Sequence, residues 1–378
     1  MNNIFDYLKV QGFRGLKSLE LSDLGKVNIF VGDNNSGKTS LLEAISTFCN
    51  PLDPLHWIGI SQRRSSVGRT VLPVRPNLEP VKWIFPQENK LISSDEAYQG
   101  EITIEAKGNI PIIRLEAKLS EIYGSGIETS TSRRLSNDDD PLNEYIKSGI
   151  ELGVIVYPAI VQANPFGSSE LIIKESFEFW DRERIILKKR PTPYIKSATI
   201  SPSYSESESI SFLLTRIIER DEKDEILQIL RLFDDNIIDI EILSTRTARA
   251  TVKIRHQILG LTPLYIFGDG FKRALVMAIT LMSIDNGVLL IDEIETSIHV
   301  SALIEIFSWL VKTCQIRGIQ LFVTTHSLEA IDAMLAAVTD KDNLVGFNLN
   351  KEGLPPQRLA GDVLSRLRSK RGLDVRSL

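Results

Sequence analysis

Cysteine and histidine are scarce in this chain: Cys49 and Cys314 stand alone, and His56, His256, His299 and His326 are scattered over 378 residues. That spacing excludes a disulfide framework and any Cys/His metal cluster. Long apolar runs are missing too. The longest, near 274–284, is far shorter than the roughly 20 residues a membrane helix needs. Residues 1–6 lack the basic-then-apolar layout of a signal peptide, so the expected compartment is the cytoplasm and no membrane partner is expected. No sustained heptads occur, which excludes long coiled-coil arms. Nor is there an excess of positive charge. The 44 Lys and Arg against 49 Asp and Glu give a net charge of −5, which argues against a uniformly basic nucleic-acid coat. What remains is ordinary globular material, 43% apolar and 25% charged, enough for a core and two lobes.

Against that background one run stands out. Gly32, Asp33, Asn34, Asn35, Ser36, Gly37, Lys38 and Thr39 fit Gly-x4-Gly-Lys-Ser/Thr, with Ser40 opening a helix-period stretch behind them and a buried-strand pattern at 26–31 ahead. A strand, a glycine loop and a helix N-terminus in that order cradle the phosphates of a nucleoside triphosphate through backbone N–H groups. Lys38 is expected to face solvent and reach the β- and γ-phosphates, and Thr39 to offer its hydroxyl to Mg²⁺. A nucleoside triphosphate with Mg²⁺ is therefore the expected ligand, and the resemblance given below implies ATP. A second short apolar run, 287–291, ends in Asp292 and Glu293. This reads as a Walker B strand, with Asp292 holding the Mg²⁺ hydration shell and Glu293 orienting or deprotonating the attacking water. A third run, 320–325, ends in His326, placed as a γ-phosphate sensor at the ligand edge of an α/β sheet. Gly268, Asp269 and Gly270, followed by Phe271, Lys272 and Arg273, form a glycine turn feeding another helix, a second anion site apart from the first.

With these motifs in this order, the chain resembles the ATP-binding-cassette heads of the RecF, structural-maintenance-of-chromosomes and overcoming-lysogenization-defect group of ATPases. The likeness is greatest to stand-alone bacterial ATPases of anti-phage defence operons, which share the stretches 290–295 and 324–327. It implies a P-loop NTPase fold of α/β class, with a mixed central sheet, an antiparallel β-subdomain and a helical lobe. It also brings Arg14, within Phe13-Arg14-Gly15, and the signature residues Gly268, Asp269, Gly270 and Lys272 into the nucleotide site. Two heads are expected to sandwich nucleotide as a homodimer or higher homo-oligomer. Two departures are visible: Gly268 replaces the usual signature serine, and His299 stands where the D-loop has an aspartate. No stretch reads as a Q-loop, since Gln87 reads as a surface turn.

The expected layout is an ATPase lobe with Walker A at 1–49, an antiparallel β-subdomain with loop insertions at 50–206 and a helical hairpin at 207–245. A second ATPase lobe at 246–350 carries the signature, Walker B and His326, and a tail follows at 351–378. Too few residues follow His326 for a nuclease domain, so a nuclease or toxin effector is expected on a separate chain. DNA is a further candidate partner through Arg63, Arg64, Arg69 and Arg75, through Lys188, Lys189 and Arg190, or through Arg366, Arg368, Lys370 and Arg371. The function these features imply is an ATP-driven switch that senses foreign DNA or a phage protein and controls that effector. A RecF-like DNA-repair ATPase is the alternative.

Overall fold

The computed structural model describes residues 3–65, 75–87, 97–127, 144–159, 172–186, 190–202, 208–245, 248–350 and 354–376. The acidic run 138–140, Arg69, Lys188 and Lys189 lie outside the described residues, as do the side chains of Lys370 and Arg371.

Strands Val27–Val31, Val288–Ile291 and Gln320–Thr324 are buried at every position, the signature of strands covered on both faces. They form the centre of a six-stranded sheet in the order Gln357–Ala360, Leu344–Asn348, Val27–Val31, Gln320–Thr324, Val288–Ile291, Ser197–Ile200. All neighbours are parallel except the edge pair of Leu344–Asn348 with Gln357–Ala360. Because side chains alternate along a strand, each central strand feeds two cores. Ile29, Leu289, Leu321 and Val323 join the core that also holds helices Asp269–Met282 and Val300–Ile316. Phe30, Leu290 and Phe322 face the opposite core, shared with helix Lys38–Cys49. There Phe30 stacks on Phe322 at 6.2 Å and on Phe347 at 5.7 Å between ring centroids.

The second core is closed by an antiparallel sheet in the order Leu16–Ser22, Tyr7–Phe13, Gln99–Lys107, Ile112–Ile127, Glu144–Pro158, Ile173–Trp180. Here the sheet crosses the boundary read from the sequence. Its first two strands precede residue 50, with Val10 opposite Ile104, because Leu8 and Val10 are buried on alternate positions and need a partner sheet. Ser197–Ile200, read as part of the β-subdomain, pairs instead with Val288–Ile291 in the parallel sheet. Gln320 ties the two layers together: its amide accepts from the Phe5 N–H at 2.8 Å and donates to the carbonyls of Phe5 and Gly25.

The expected hairpin is present as helices Glu208–Glu219 and Lys223–Arg231, but it stops short of 245. Residues Ile237–Thr245 are a strand, joined by Ala248–His256 and Gly260–Pro263 in a three-stranded antiparallel sheet. The cause is local: β-branched residues alternate with acids, so Ile240 is buried while Asp239 and Glu241 pair with Lys223 and Arg255 on the other face. This small sheet leads through a short 3-10 turn, Leu264–Ile266, into the signature helix Asp269–Met282.

Candidate functional site

The loop after Val31 has backbone angles that few side chains accept. Gly32, Asn35 and Gly37 have φ of 134°, 65° and 93°. A Cβ on Gly32 would meet the Leu349 carbonyl oxygen at 2.3 Å. The loop turns the chain into helix Lys38–Cys49, whose N-terminus has no side-chain cap, so its first N–H groups are free to face an anion.

Lys38 is 6% exposed rather than solvent-facing. Its ammonium donates to the carbonyls of Gly32 and Asp33, at 2.8 Å each, and lies 3.4 Å from Ser36 Oγ. Burial pushes its pKa down, opposed by the carboxylates of Asp292, Asp33, Glu293 and Glu295. The correction has a simple origin. A short loop closing on itself leaves carbonyls pointing inward, and the adjacent cation is the nearest donor.

Across the sheet edge, Thr39 donates its hydroxyl to Asp292 Oδ2 at 2.9 Å. Asp292 is 8% exposed and also accepts from Thr324 Oγ1 at 2.6 Å. Thr324 in turn accepts from the Glu293 N–H at 2.8 Å. Three parallel strands thus deliver Thr39, Asp292 and Thr324 to one point at their C-terminal ends. Glu293 sits just beyond in a left-handed conformation, φ 47°, which costs a non-glycine residue about 1 kcal/mol or more. Its Oε2 accepts from Thr296 Oγ1 at 3.2 Å. Glu295 accepts the His326 N–H at 2.9 Å through Oε1, and its Oε2 is shielded without a partner.

Two other expected site residues are engaged elsewhere. Arg14, half-buried, forms an ion pair with Glu43 at 2.6 Å and donates to the Ile60 carbonyl. Glu43 also takes Arg64, whose guanidinium donates to Ser40 Oγ at 3.2 Å. The pairing follows from placement: Glu43 projects from the middle of the P-loop helix into a buried layer that only a cation can neutralise. Lys272 pairs with Asp269 at 3.2 Å, and the described hydrogen bonds of residues 268–272 do not reach the loop 32–40. Gly268 sits in open space with an ordinary φ of −62°, whereas a Cβ on Gly270 would lie 2.8 Å from the Ser297 carbonyl oxygen. The signature turn is therefore braced by the chain's own D-loop. His299 accepts the Ser301 N–H as N-cap of helix Val300–Ile316. Among the described basic clusters, Arg190 pairs with Asp53, Arg366 with Asp362 and Arg368 with Asp332. Those pairs reduce the charge left for a phosphate backbone.

Sequence reading gave Thr324 and Arg273 no role of their own. Arg273 is 6% exposed, and burial lowers its pKa to about 10. It donates to the carbonyls of Ser201 at 2.5 Å, Asp292 at 3.0 Å and Glu293 at 3.3 Å. The signature helix thereby holds the main chain of the Walker B turn. The only signal was a cation on the otherwise buried stripe of that helix. Arg273→Ala is expected to cost about 2–4 kcal/mol in chemical denaturation, because three carbonyls lose a charged donor. An unchanged denaturation midpoint would contradict that accounting.

The donor set suits Mg²⁺. A threonine hydroxyl and a carboxylate are hard oxygens, already adjacent, and Mg²⁺ takes its other ligands from phosphates and water. No cluster of three His, Cys, Asp or Glu able to hold a metal occurs among the described residues, which sets this site apart from an all-protein metal cage.

Residues 27–332 match a family model described as "AAA domain, putative AbiEii toxin, Type IV TA system". A Helicobacter pylori protein named "ATP/GTP phosphatase" is 22% identical over 357 residues, covering 89% of this chain and 88% of that one. The DNA replication and repair protein RecF of Pseudomonas savastanoi is 35% identical over 136 residues, about a third of each chain. Among solved structures, an Smc head domain with an extended coiled coil from Pyrococcus furiosus has a TM-score of 0.45 at 11% identity. That match covers 99% of this chain and all of that one.

Proposed function

The chain belongs to the family described as "AAA domain, putative AbiEii toxin, Type IV TA system" and is an ATP hydrolase, and on that premise we propose that it is a nucleotide-controlled switch in an anti-phage defence system. Its nucleotide state licenses a separate nuclease or toxin after foreign DNA or a phage protein is sensed. The observation that carries this reading is the grip of Arg273 on the carbonyls of Asp292 and Glu293. Through these bonds a change at the hydrolytic turn would reach the signature helix. The toxin and its system named in the family description support the defence setting.

In the hydrolytic cycle, Lys38 exchanges its loop carbonyls for β- and γ-phosphate oxygens. Thr39 and Asp292 would hold Mg²⁺, which when bound would offset charge on the phosphate oxygens. Glu293 orients a water and accepts its proton as the water oxygen bonds to the γ-phosphorus and the bond to the bridging oxygen breaks, giving ADP and phosphate. His326 senses the γ-phosphate from its strand end. Among the described residues the remaining buried cation near this turn, Arg273, is committed to main-chain carbonyls. The charge needed on the far side of the γ-phosphate therefore comes from Lys272 of a second copy. Its ammonium stands at the start of the signature helix beside the largely exposed Asp269.

A direct test uses two variants as bait in cells of the native host, one blocked in hydrolysis, Glu293→Gln, and one blocked in binding, Lys38→Ala. The same partner chain should be retained by one and released by the other. Equal retention by both would end the switch reading. The RecF segment match supports a second reading, direct DNA binding. Under it, ATP-stimulated DNA affinity of the isolated protein should fall steeply with salt, because releasing counterions gains less entropy into a saltier solution.

A further inference from the structure

His326 is held by its main chain from two sides. Its N–H goes to Glu295 of the D-loop at 2.9 Å. Its carbonyl accepts from Arg376 Nη1 at 2.6 Å, a residue fifty positions away on the segment that follows helix Gly361–Arg371. That segment is fastened in several places. Gly372 ends the helix in a left-handed conformation, φ 57°, and Arg368 grips the Leu373 carbonyl at 2.7 Å while binding both oxygens of Asp332 at 2.8 Å. Asp332 lies on helix Leu328–Ala337, which begins immediately after the switch motif. Val375 is fully buried in the core, and its carbonyl lies 3.4 Å from the Asn348 amide. Asn348 ends the strand beside the P-loop strand, and its Oδ1 would lie 3.2 Å from a Cβ on Gly32. Asp374 takes the Arg376 side chain through both oxygens, at 2.8 and 2.5 Å, which fixes the guanidinium with one N–H aimed at residue 326.

We propose that Arg376 is a positioning residue for ATP hydrolysis: the strap 372–376 sets the main chain of His326 and so couples the segment after the last described helix to the γ-phosphate end of the site. The inference rests on the reading of His326 as the γ-phosphate sensor. A charge-assisted bond to a carbonyl fixes a peptide plane more firmly than a neutral one, and the imidazole of residue 326 swings from that plane. Glu295 and Arg376 act on the two ends of the same residue. The D-loop and the strap therefore meet at His326, and loosening either one frees the imidazole without touching the phosphate loop.

The experiment measures steady-state ATP turnover and nucleotide affinity, with a fluorescent ATP analogue, for wild type, Arg376→Ala, Arg376→Lys, His326→Ala and the double variant His326→Ala with Arg376→Ala. Arg376→Ala should lower kcat about tenfold, the size of one lost charge-assisted hydrogen bond, while nucleotide affinity stays within about twofold. Arg376→Lys should recover part of the loss, which a merely structural role for the guanidinium would not require. The double variant should be no slower than His326→Ala alone, because a residue acting through another adds nothing once that other is gone. Wild-type kcat in Arg376→Ala alongside an impaired His326→Ala would overturn the positioning role and leave the sensor reading intact, as would losses that multiply in the double variant. Wild-type turnover in His326→Ala would sink the sensor reading and this inference with it. Should Arg376→Ala fail to fold, Asp374→Asn, which unlocks the guanidinium but keeps its shape and surroundings, must show the same kcat loss at unchanged affinity.

Discussion

Replacing Glu293 with Gln should lower ATP turnover by about 10²–10⁴ while nucleotide binding persists, the size expected when a general base is removed without changing its shape. The structure gives this substitution unusually clean geometry. Glu293 is held in its left-handed conformation by its own N–H on Thr324 Oγ1, a bond the side chain does not enter, and the amide oxygen of Gln can still accept from Thr296. The backbone, the Mg²⁺ ligands and the P-loop are therefore untouched, and only proton acceptance is lost. A protein trapped in the ATP-bound state should accumulate, seen as retained, unhydrolysed nucleotide after gel filtration. Turnover at the wild-type rate would move the base to another residue, with Glu295 the first to examine because its Oε2 is shielded and unpartnered.

Lys38→Ala should abolish ATP binding in the working concentration range. Two or more charge-assisted bonds to phosphate, each worth about 1.5–3 kcal/mol, correspond to at least a 10²-fold loss of affinity. The structure adds a second expectation that the exposed lysine of the sequence reading would not have. Because the ammonium is buried on the Gly32 and Asp33 carbonyls, its removal also loosens the loop and should cost about 1 kcal/mol of stability without nucleotide. Titration calorimetry tests the first expectation and denaturant unfolding the second. Wild-type affinity in this variant would remove Lys38 from the site altogether.

The parts of this site that were legible in the sequence are those whose chemistry is local. A phosphate loop needs its glycines, lysine and threonine at fixed spacing, and a strand end needs its Asp-Glu pair directly after an apolar run, so 32–39 and 292–293 could be read in one dimension. The parts that were not legible are made by packing. Thr324 matters because its strand lies next to the one that carries Asp292, and nothing in a threonine after an apolar run says so. Arg273 was quoted among the signature residues, but its hold on Walker B exists only once the helix lies across the turn. Arg14 was assigned to nucleotide by likeness, and its ion pair with Glu43 is a contact that only the packing reveals. The fold shows the same division. The buried parallel strands declared themselves as short continuous apolar runs, whereas the pairing of the first two strands with Gln99–Lys107 is a long-range choice. Residues 237–245 were absorbed into a helical hairpin because the preceding period was helical.

The central claim is that each ATP is hydrolysed between two copies, with the signature of one completing the P-loop of the other, and a mixing experiment tests it most directly. The structure decides which signature variant to use. A bulky side chain at Gly270 would collide with the Ser297 carbonyl of its own chain, whereas Gly268 has open space and a φ that any residue adopts, so Gly268→Val blocks only what approaches from outside. Lys38→Ala and Gly268→Val proteins should each be nearly inactive alone. Mixed in equal amounts, half of the dimers are hybrid and each hybrid holds one intact composite site, so turnover should recover to about a quarter of the wild-type value. No recovery although hybrid dimers form, or full activity of Gly268→Val by itself, would contradict the account.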